Sequence, residues 1–214
     1  MKKMFQVLVA LMMLVFSTQA AFAMDKSTTV DGSDLNAVHR MATAVPLYTQ
    51  VKGAPTLNEV SQTLYAASSV AHNFAVLSYE MVAQNIMNDT HVNIKTLDRR
   101  QASKVFKENI AMYSDAYVVT TVANNSRTIF FFDVYKAGTN ELMYTYEIAE
   151  DGSDKDDVTT YMSMTQQFYK NFERAAQDQI RQKEKAAREA EKKAAKEAET
   201  KPEQSATRPD KARR

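Results

Sequence analysis

The chain has 214 residues, a formal net charge of +1 and 25% charged side chains, an ordinary composition for a globular protein. The near-neutral balance argues against nucleic acid as the main partner, because duplex binding needs a concentrated basic face. The absence of cysteine excludes disulfides, thiolate catalysis, zinc–thiolate sites and the lipidated cysteine of a bacterial lipoprotein. The four glycines leave no room for a glycine-rich phosphate loop.

The first 23 residues have the pattern of a cleavable bacterial signal peptide. Two lysines supply positive charge near the start, an apolar run follows over residues 4–16, and residues 21–23 read Ala-Phe-Ala, a small-x-small cleavage pattern. The apolar run is much shorter than the about 20 residues that a membrane-spanning helix requires. We therefore expect Sec-type export, a mature chain that begins at Met24, and a periplasmic or secreted location without a transmembrane helix.

The mature chain predicts a flexible leader over residues 24–34, rich in Ser, Thr, Asp and Gly, and then one domain over residues 35–180. The domain opens with a predicted strand that Pro46 ends, because proline cannot donate a hydrogen bond to a sheet ladder. Thr56 and Glu59 have the spacing of a capping box, and apolar residues at helical spacing follow them. A helix is therefore expected to begin at this point.

In the middle of the domain, the sequence pattern predicts a strand, two helices and a β-meander. A short apolar run over residues 74–77 is typical of a buried strand, and helical spacing follows it up to about residue 112. Three β-rich runs then lie between residues 116 and 148. They are joined by short loops that contain Asn or Gly, which favours adjacent antiparallel strands.

In the C-terminal part, the sequence pattern predicts one long helix that extends past the end of the domain. Its large apolar residues stop at Ile180, while Ala, Lys, Arg and Glu continue. We expect a charged helical extension over residues 181–200, either solvated or a weak coiled coil, and a disordered basic tail over residues 201–214. The excess of basic residues favours weak contact with anionic envelope polymers or lipid headgroups, and a solubilising spacer is the alternative.

This order of elements predicts an α+β fold in a single domain. The expected architecture is a mixed sheet that ends in a three-stranded antiparallel meander, with helices packed on it and an extended charged C-terminal helix. The first two strands can pair in parallel through the helix between them.

Several pieces within residues 35–180 carry a resemblance to known proteins: the strand at 41–45, the helix from Leu57, the strand at 74–77 with its helix, the Asp-Ala strand at 115–119 and the hairpin at 132–139. Their order resembles the small envelope α/β domains of the curli-secretion lipoprotein, the penicillin-binding-protein activator lipoproteins and the amino-terminal domain of TolB. The anchoring cysteine of those lipoproteins is absent, and the helix around residues 102–110 looks like an addition. The resemblance implies a non-catalytic adaptor or regulator in the envelope.

No residue pattern marks an active site. His39, His72 and His91 have no partner at the spacing of metal ligands, and the acidic stretch 151–157 lacks the Gly and Glu positions of an EF-hand. Asp98 before two arginines fits a helix cap better than an anion site. We therefore assign no catalytic, cofactor-binding or metal-binding residue and expect a protein that is not an enzyme. The alternative is a small periplasmic enzyme whose dispersed polar residues converge only in the folded chain.

The aromatic meander is the strongest candidate for an interaction surface. Residues 129–132 place apolar side chains on both faces of one strand, so helices can cover one face while the other meets a loop or a partner. Aromatic residues dominate interface hot spots. The candidate surface therefore comprises Tyr117, Ile129, Phe131 and Tyr135.

These patterns together predict an exported envelope adaptor that acts through protein–protein contacts. The expected partner is another envelope protein, and no cofactor is expected. A peripheral membrane-surface protein that uses the basic tail is a further alternative.

Overall fold

The structure, a computed structural model, describes residues 25–199. The predicted signal peptide (1–23) and basic tail (201–214) lie outside the described residues. Within this range the strands are β1 (Asp25–Thr29), β2 (Arg40–Thr43), β3 (Leu47–Tyr48), β4 (Ala75–Leu77), β5 (Ala116–Asn124), β6 (Thr128–Lys136) and β7 (Leu142–Glu150). The α-helices are α1 (Leu57–Ala66), α2 (Tyr79–Thr90), α3 (Arg99–Asn109) and α4 (Val158–Glu199).

All seven strands in this part of the chain join one mixed sheet. Six of them follow the order β1-β7-β6-β5-β2-β4. The short strand β3 also pairs with β5, at Thr121 and Val122, after the residues of β5 that pair with β2. Strand β2 is parallel to both β4 and β5, whereas β5, β6, β7 and β1 are antiparallel in turn. The prediction of a single-domain α+β fold with a mixed sheet and an antiparallel meander is confirmed. The proposed parallel pairing through α1 is also present, between β2 and β4.

Two elements near the N-terminus differ from the sequence prediction. The leader predicted to be flexible contains β1, which pairs with β7 and places Lys26 opposite Glu147. Strand β7 would otherwise be an unpaired edge, so its free backbone groups hold this polar segment in a strand. The first predicted strand is also shorter than expected: β2 ends at Thr43, before Pro46, and the separate short strand β3 follows the proline.

Helix α1 begins at the predicted capping box. The Thr56 hydroxyl oxygen accepts a hydrogen bond from the Glu59 amide at 3.2 Å, and the Glu59 carboxylate accepts one from the Thr56 amide at 2.7 Å. These two bonds satisfy backbone donors that the first turn of a helix leaves unpaired. The local sequence therefore fixes where α1 starts.

Thr56→Ala is expected to lower the free energy of unfolding by about 1 kcal/mol, because the cap oxygen is removed. Urea denaturation measures the loss. Ser61→Ala is the matched control, since Ser61 is partly exposed inside α1 and its hydroxyl donates to the Leu57 carbonyl one turn earlier. We expect the control to change stability by less than about 0.5 kcal/mol. Equal losses in both variants would show that the cap does not stabilise the helix.

The two faces of the sheet are covered to different extents. Helices α1 and α4 pack on one face, where Phe132 stacks on Phe168 with ring centroids 4.3 Å apart. On the opposite face, α2 and α3 form a second apolar cluster with Ala42 of β2 and Tyr117 of β5. That cluster touches β6 only at its C-terminal end, through Tyr135.

Helix α4 has 42 residues and continues beyond the domain, as predicted for an extended charged C-terminal helix. The last contacts between α4 and the rest of the domain lie near Gln179 and Lys183. The Gln179 side-chain amide accepts from the Leu35 amide and donates to the Ser33 carbonyl. The Lys183 amine pairs with the Asp34 carboxylate, with 3.2 Å between nitrogen and oxygen. The part over residues 184–199 is therefore roughly 24 Å long at 1.5 Å per residue. None of the described helices combines the length and apolar character needed to cross a bilayer.

Candidate interaction surface

One face of the sheet lacks a helical cover over much of β5, β6 and β7. The α2–α3 pair covers this face only on the side of β2 and β4. The side chains beyond that cover all lie on one face by strand register, and each is partly exposed. We call this set the open face: Thr121, Ala123, Ile129, Phe131, Asp133, Thr145, Glu147 and Ala149.

Ile129 and Phe131 form the apolar centre of the open face. Phe131 lies between Thr121 on β5 and Glu147 on β7, and Ile129 lies between Ala123 and Ala149 on the same two strands. These flanking residues are mostly small, so they leave the two larger side chains partly in solvent. Neither Ile129 nor Phe131 belongs to the two core clusters. The open face therefore presents apolar surface on the rigid middle strand of an antiparallel sheet.

The four predicted surface residues divide into two pairs. Tyr117 is 1% exposed and packs edge-on against Phe106 of α3, with ring centroids 5.7 Å apart. Its hydroxyl donates to Asn140 at 2.8 Å, and burial raises its pKa to about 12. Tyr135 is half-buried and stacks on Tyr117 at 5.4 Å. Tyr117 is thus a core residue that does not belong to the open face, Tyr135 lies at the border, and Ile129 and Phe131 lie on the open face.

A carboxylate lies on β6 beside this apolar centre. Asp133 is opposite Val119 and Thr145, and no hydrogen bond or ion pair reaches it within the described part of the chain. Burial among these neighbours raises the pKa of Asp133. An acceptor without a partner at this position is available to a donor from another molecule.

Asp133→Asn is expected to raise the free energy of unfolding at neutral pH by up to about 0.5 kcal/mol, because the carboxyl is only partly desolvated. A pKa raised in the folded state means that folding disfavours the ionised form. Stability is therefore lost as the pH rises through that raised pKa. At about pH 3 the side chain is neutral in both states, so the advantage should disappear.

The control for this prediction is Glu147→Gln, on the same face but opposite Lys26. That change should leave stability equal or slightly lower at neutral pH, since it removes an attraction. Chemical denaturation at both pH values measures the difference. A destabilised Asp133→Asn variant at neutral pH would contradict the account of this carboxyl.

A second concave feature adjoins the open face, and we call it the basic groove. It lies between α3 and the segment 44–48, with a volume of about 440 Å³, and Val119 connects it to the open face. Its walls include Phe106, Tyr117 and three basic residues. Sequence reasoning missed this groove because its lining comes from five separate segments. The only local signal is the spacing of Arg99, Ala102, Phe106 and Lys107 along one side of α3.

The remaining polar candidates have structural roles. No group of three or more His, Asp or Glu residues is placed to hold a metal ion within residues 25–199. The Asp98 carboxylate caps α3 by accepting from the Arg100 amide at 2.9 Å, as predicted. In the acidic stretch, Asp156 accepts hydrogen bonds from Thr128 and Lys155.

Another depression, about 680 Å³, is lined by four carboxylates, and three of them already bond other groups of the chain. One of them, Asp115, accepts from the amides of His39 and Arg40 at 2.9 Å each. Another, Asp34, pairs with Lys183. These groups hold loops and helix α4 together, and we assign no ligand to them.

No family model matches the chain, and no curated protein matches it in sequence. Several solved structures are similar. The LpoB C-terminal domain from Escherichia coli is 13% identical, with a TM-score of 0.42 over 57% of this chain and 88% of that one. The PelC dodecamer from Paraburkholderia phytofirmans is 9% identical, with a TM-score of 0.36 over 67% of this chain and 94% of that one.

Lipoprotein GNA1162 from Neisseria meningitidis is 11% identical, with a TM-score of 0.40 over 62% of this chain and 94% of that one. At these values the likeness concerns the fold alone. The expected resemblance to small α/β domains of envelope lipoproteins is confirmed at that level.

Proposed function

We propose that residues 1–23 direct export and that the protein acts in the cell envelope as an adaptor, binding another envelope protein through the open face. The observation that carries this proposal is the partly exposed pair Ile129 and Phe131, on the middle strand of a sheet covered by helices elsewhere. Burying apolar side chains of this size stabilises a complex by about 1.5–3 kcal/mol each relative to leaving them exposed. A rigid sheet loses little conformational entropy when it does so.

The charges around the apolar centre define the partner's chemistry. Asp133 has no ionic partner among the described residues, whereas Glu147 faces Lys26 across the β7–β1 pair. A matching surface would present apolar side chains to Ile129 and Phe131, and a hydrogen-bond donor or a basic group to Asp133. Such complementarity sets the orientation of a partner more than its affinity.

The projecting part of α4 fits the role of a spacer. Its described side chains over residues 184–196 are all exposed, and two nearby charge pairs of α4 are surface pairs on the helix itself. No stripe of large apolar residues runs along this part, so it lacks the seam of a stable coiled coil. We infer that it separates the domain from the basic tail, and that binding resides in the domain.

Export is tested by intact-mass analysis and fractionation of the native host. The expected result is a protein that starts at Met24 and is released with the periplasmic or secreted fraction. A cytosolic protein that retains Met1 would remove the envelope setting from the proposal.

Binding is tested by chemical crosslinking in the native envelope, with the full chain and with a variant that lacks residues 181–214. We expect the same discrete crosslinked protein from both, because the open face is intact in both. A thermal melt of the shortened variant checks that the domain remains folded. Failure to recover any specific protein from either form would overturn the adaptor proposal, and loss in the folded shortened variant would move binding to the tail.

A further inference from the structure

The basic groove combines an apolar interior with an apolar lip. Its floor is formed by buried residues, including Ile94, Phe106 and Tyr117. Three of the nine exposed large apolar side chains in residues 25–199 line its mouth: Val45 at 36%, Leu47 at 38% and Leu57 at 44% exposed. A mostly apolar cavity of this volume falls in the range of about 300–1,000 Å³ that small ligands occupy.

The charged groups of the groove are all of one sign. Lys95, Arg99 and Lys107 line it, and the lining contains no Asp or Glu. None of the three forms an ion pair or a side-chain hydrogen bond within the described residues, whereas Lys104, on the same helix, pairs with Glu108. The nearby Asp98 carboxylate is directed to the amides of α3 as its cap. The groove thus carries, beside apolar surface, three cations that no acidic side chain in the described part of the chain pairs with.

We propose that the basic groove binds a single-chain anionic amphiphile, specifically a long-chain carboxylate. The alkyl chain would lie between α3 and the segment 44–48, and the carboxylate would lie among Lys95, Arg99 and Lys107. Apolar contact removes the chain from water, while the amine and guanidinium groups supply charge-assisted hydrogen bonds to the head. A volume of about 440 Å³ suits one chain better than a two-chain lipid.

An acidic protein segment is the competing occupant, and the geometry favours it less. A partner helix or strand is normally anchored at several points along an extended groove or sheet edge. Here the groove between α3 and the segment 44–48 has a volume of only about 440 Å³, which falls in the range that small ligands occupy. This site is separate from the binding centre of the open face, because neither Ile129 nor Phe131 contributes to its lining.

Calorimetric titration of the protein as purified from its native host, with dodecanoate below its micelle concentration, tests the proposal. We expect saturable binding of one molecule per chain, and at least tenfold weaker binding of the uncharged dodecanol. Ala102→Trp should weaken dodecanoate binding at least tenfold by filling the groove, since Ala102 lines it. The triple variant Lys95→Gln, Arg99→Gln and Lys107→Gln should weaken it to a similar degree.

Matched controls separate the groove from general effects. Gln101→Trp places the same side chain on α3 outside the lining, and Arg100→Gln, Lys104→Gln and Lys170→Gln remove three cations elsewhere. Both controls should bind dodecanoate within twofold of the unmodified chain, and circular dichroism verifies the fold of every variant. Absence of binding, equal affinity in all variants, or capture of an acidic apolar peptide without dodecanoate would each overturn the proposal. Envelope crosslinking through the open face should persist in Ala102→Trp, so the two proposals fail independently.

Discussion

Phe168→Ala is expected to lower the free energy of unfolding by about 3–5 kcal/mol, the cost of emptying a large aromatic site in a packed core. Phe168 is fully buried on α4, where it stacks on Phe132 and contacts Tyr146, Tyr169 and Phe172. Its loss would remove the centre of the aromatic cluster that joins α4 to the sheet. Urea denaturation of the purified domain measures the change.

Phe131→Ala is the matched control, because it also removes a phenylalanine side chain. Phe131 lies on the face of β6 opposite to the one that packs against α4. Phe131 is partly exposed and outside both core clusters, so we expect a loss below about 1 kcal/mol. A large loss at Phe131 would mean that something within the chain covers the open face. Similar small losses at both positions would contradict the assignment of the core to the α1–α4 side.

The double variant Ile129→Thr and Phe131→Thr is expected to reduce crosslinking to the envelope partner at least tenfold. Threonine keeps the strand preference of β6 while it removes the apolar surface that a partner would bury. A tenfold change in affinity corresponds to about 1.4 kcal/mol, which is less than the burial of one such side chain provides. Quantitative recovery of the crosslinked protein from intact envelopes gives the measurement.

A second double variant controls for the general loss of exposed apolar surface. Tyr65 and Met112 are 40% and 58% exposed, and neither belongs to the open face. Tyr65→Gln with Met112→Gln removes one aromatic and one aliphatic side chain, as the test variant does, and should leave crosslinking unchanged. Equal losses in both doubles would show that binding is not localised to the open face.

Local patterns in the sequence were sufficient for most elements of the fold. The capping box at Thr56 fixes the start of α1, and the Asn- and Gly-bearing loops fix the meander. Strand β1 was missed because its sequence, Asp-Lys-Ser-Thr-Thr, has no apolar alternation. Its conformation depends on the free edge of β7, which lies more than 100 residues away in the chain.

The candidate surface was only partly predictable for a related reason. Tyr117 and Phe131 lie on the same face of the sheet, as strand periodicity requires, so the sequence alone treats them alike. The position of the α2–α3 pair decides that Tyr117 is covered and Phe131 is not. That position depends on tertiary packing across several segments, as does the lining of the basic groove.

Site-specific photocrosslinking from the open face tests the central claim most directly. A photoreactive phenylalanine derivative at position 131 should yield one discrete adduct with an envelope protein, because this side chain lies in the proposed interface. The same derivative at Lys170, exposed on the opposite side of the sheet on α4, should yield none. An identical adduct from both positions, or none from position 131 in intact envelopes, would contradict the proposal that the open face binds a partner.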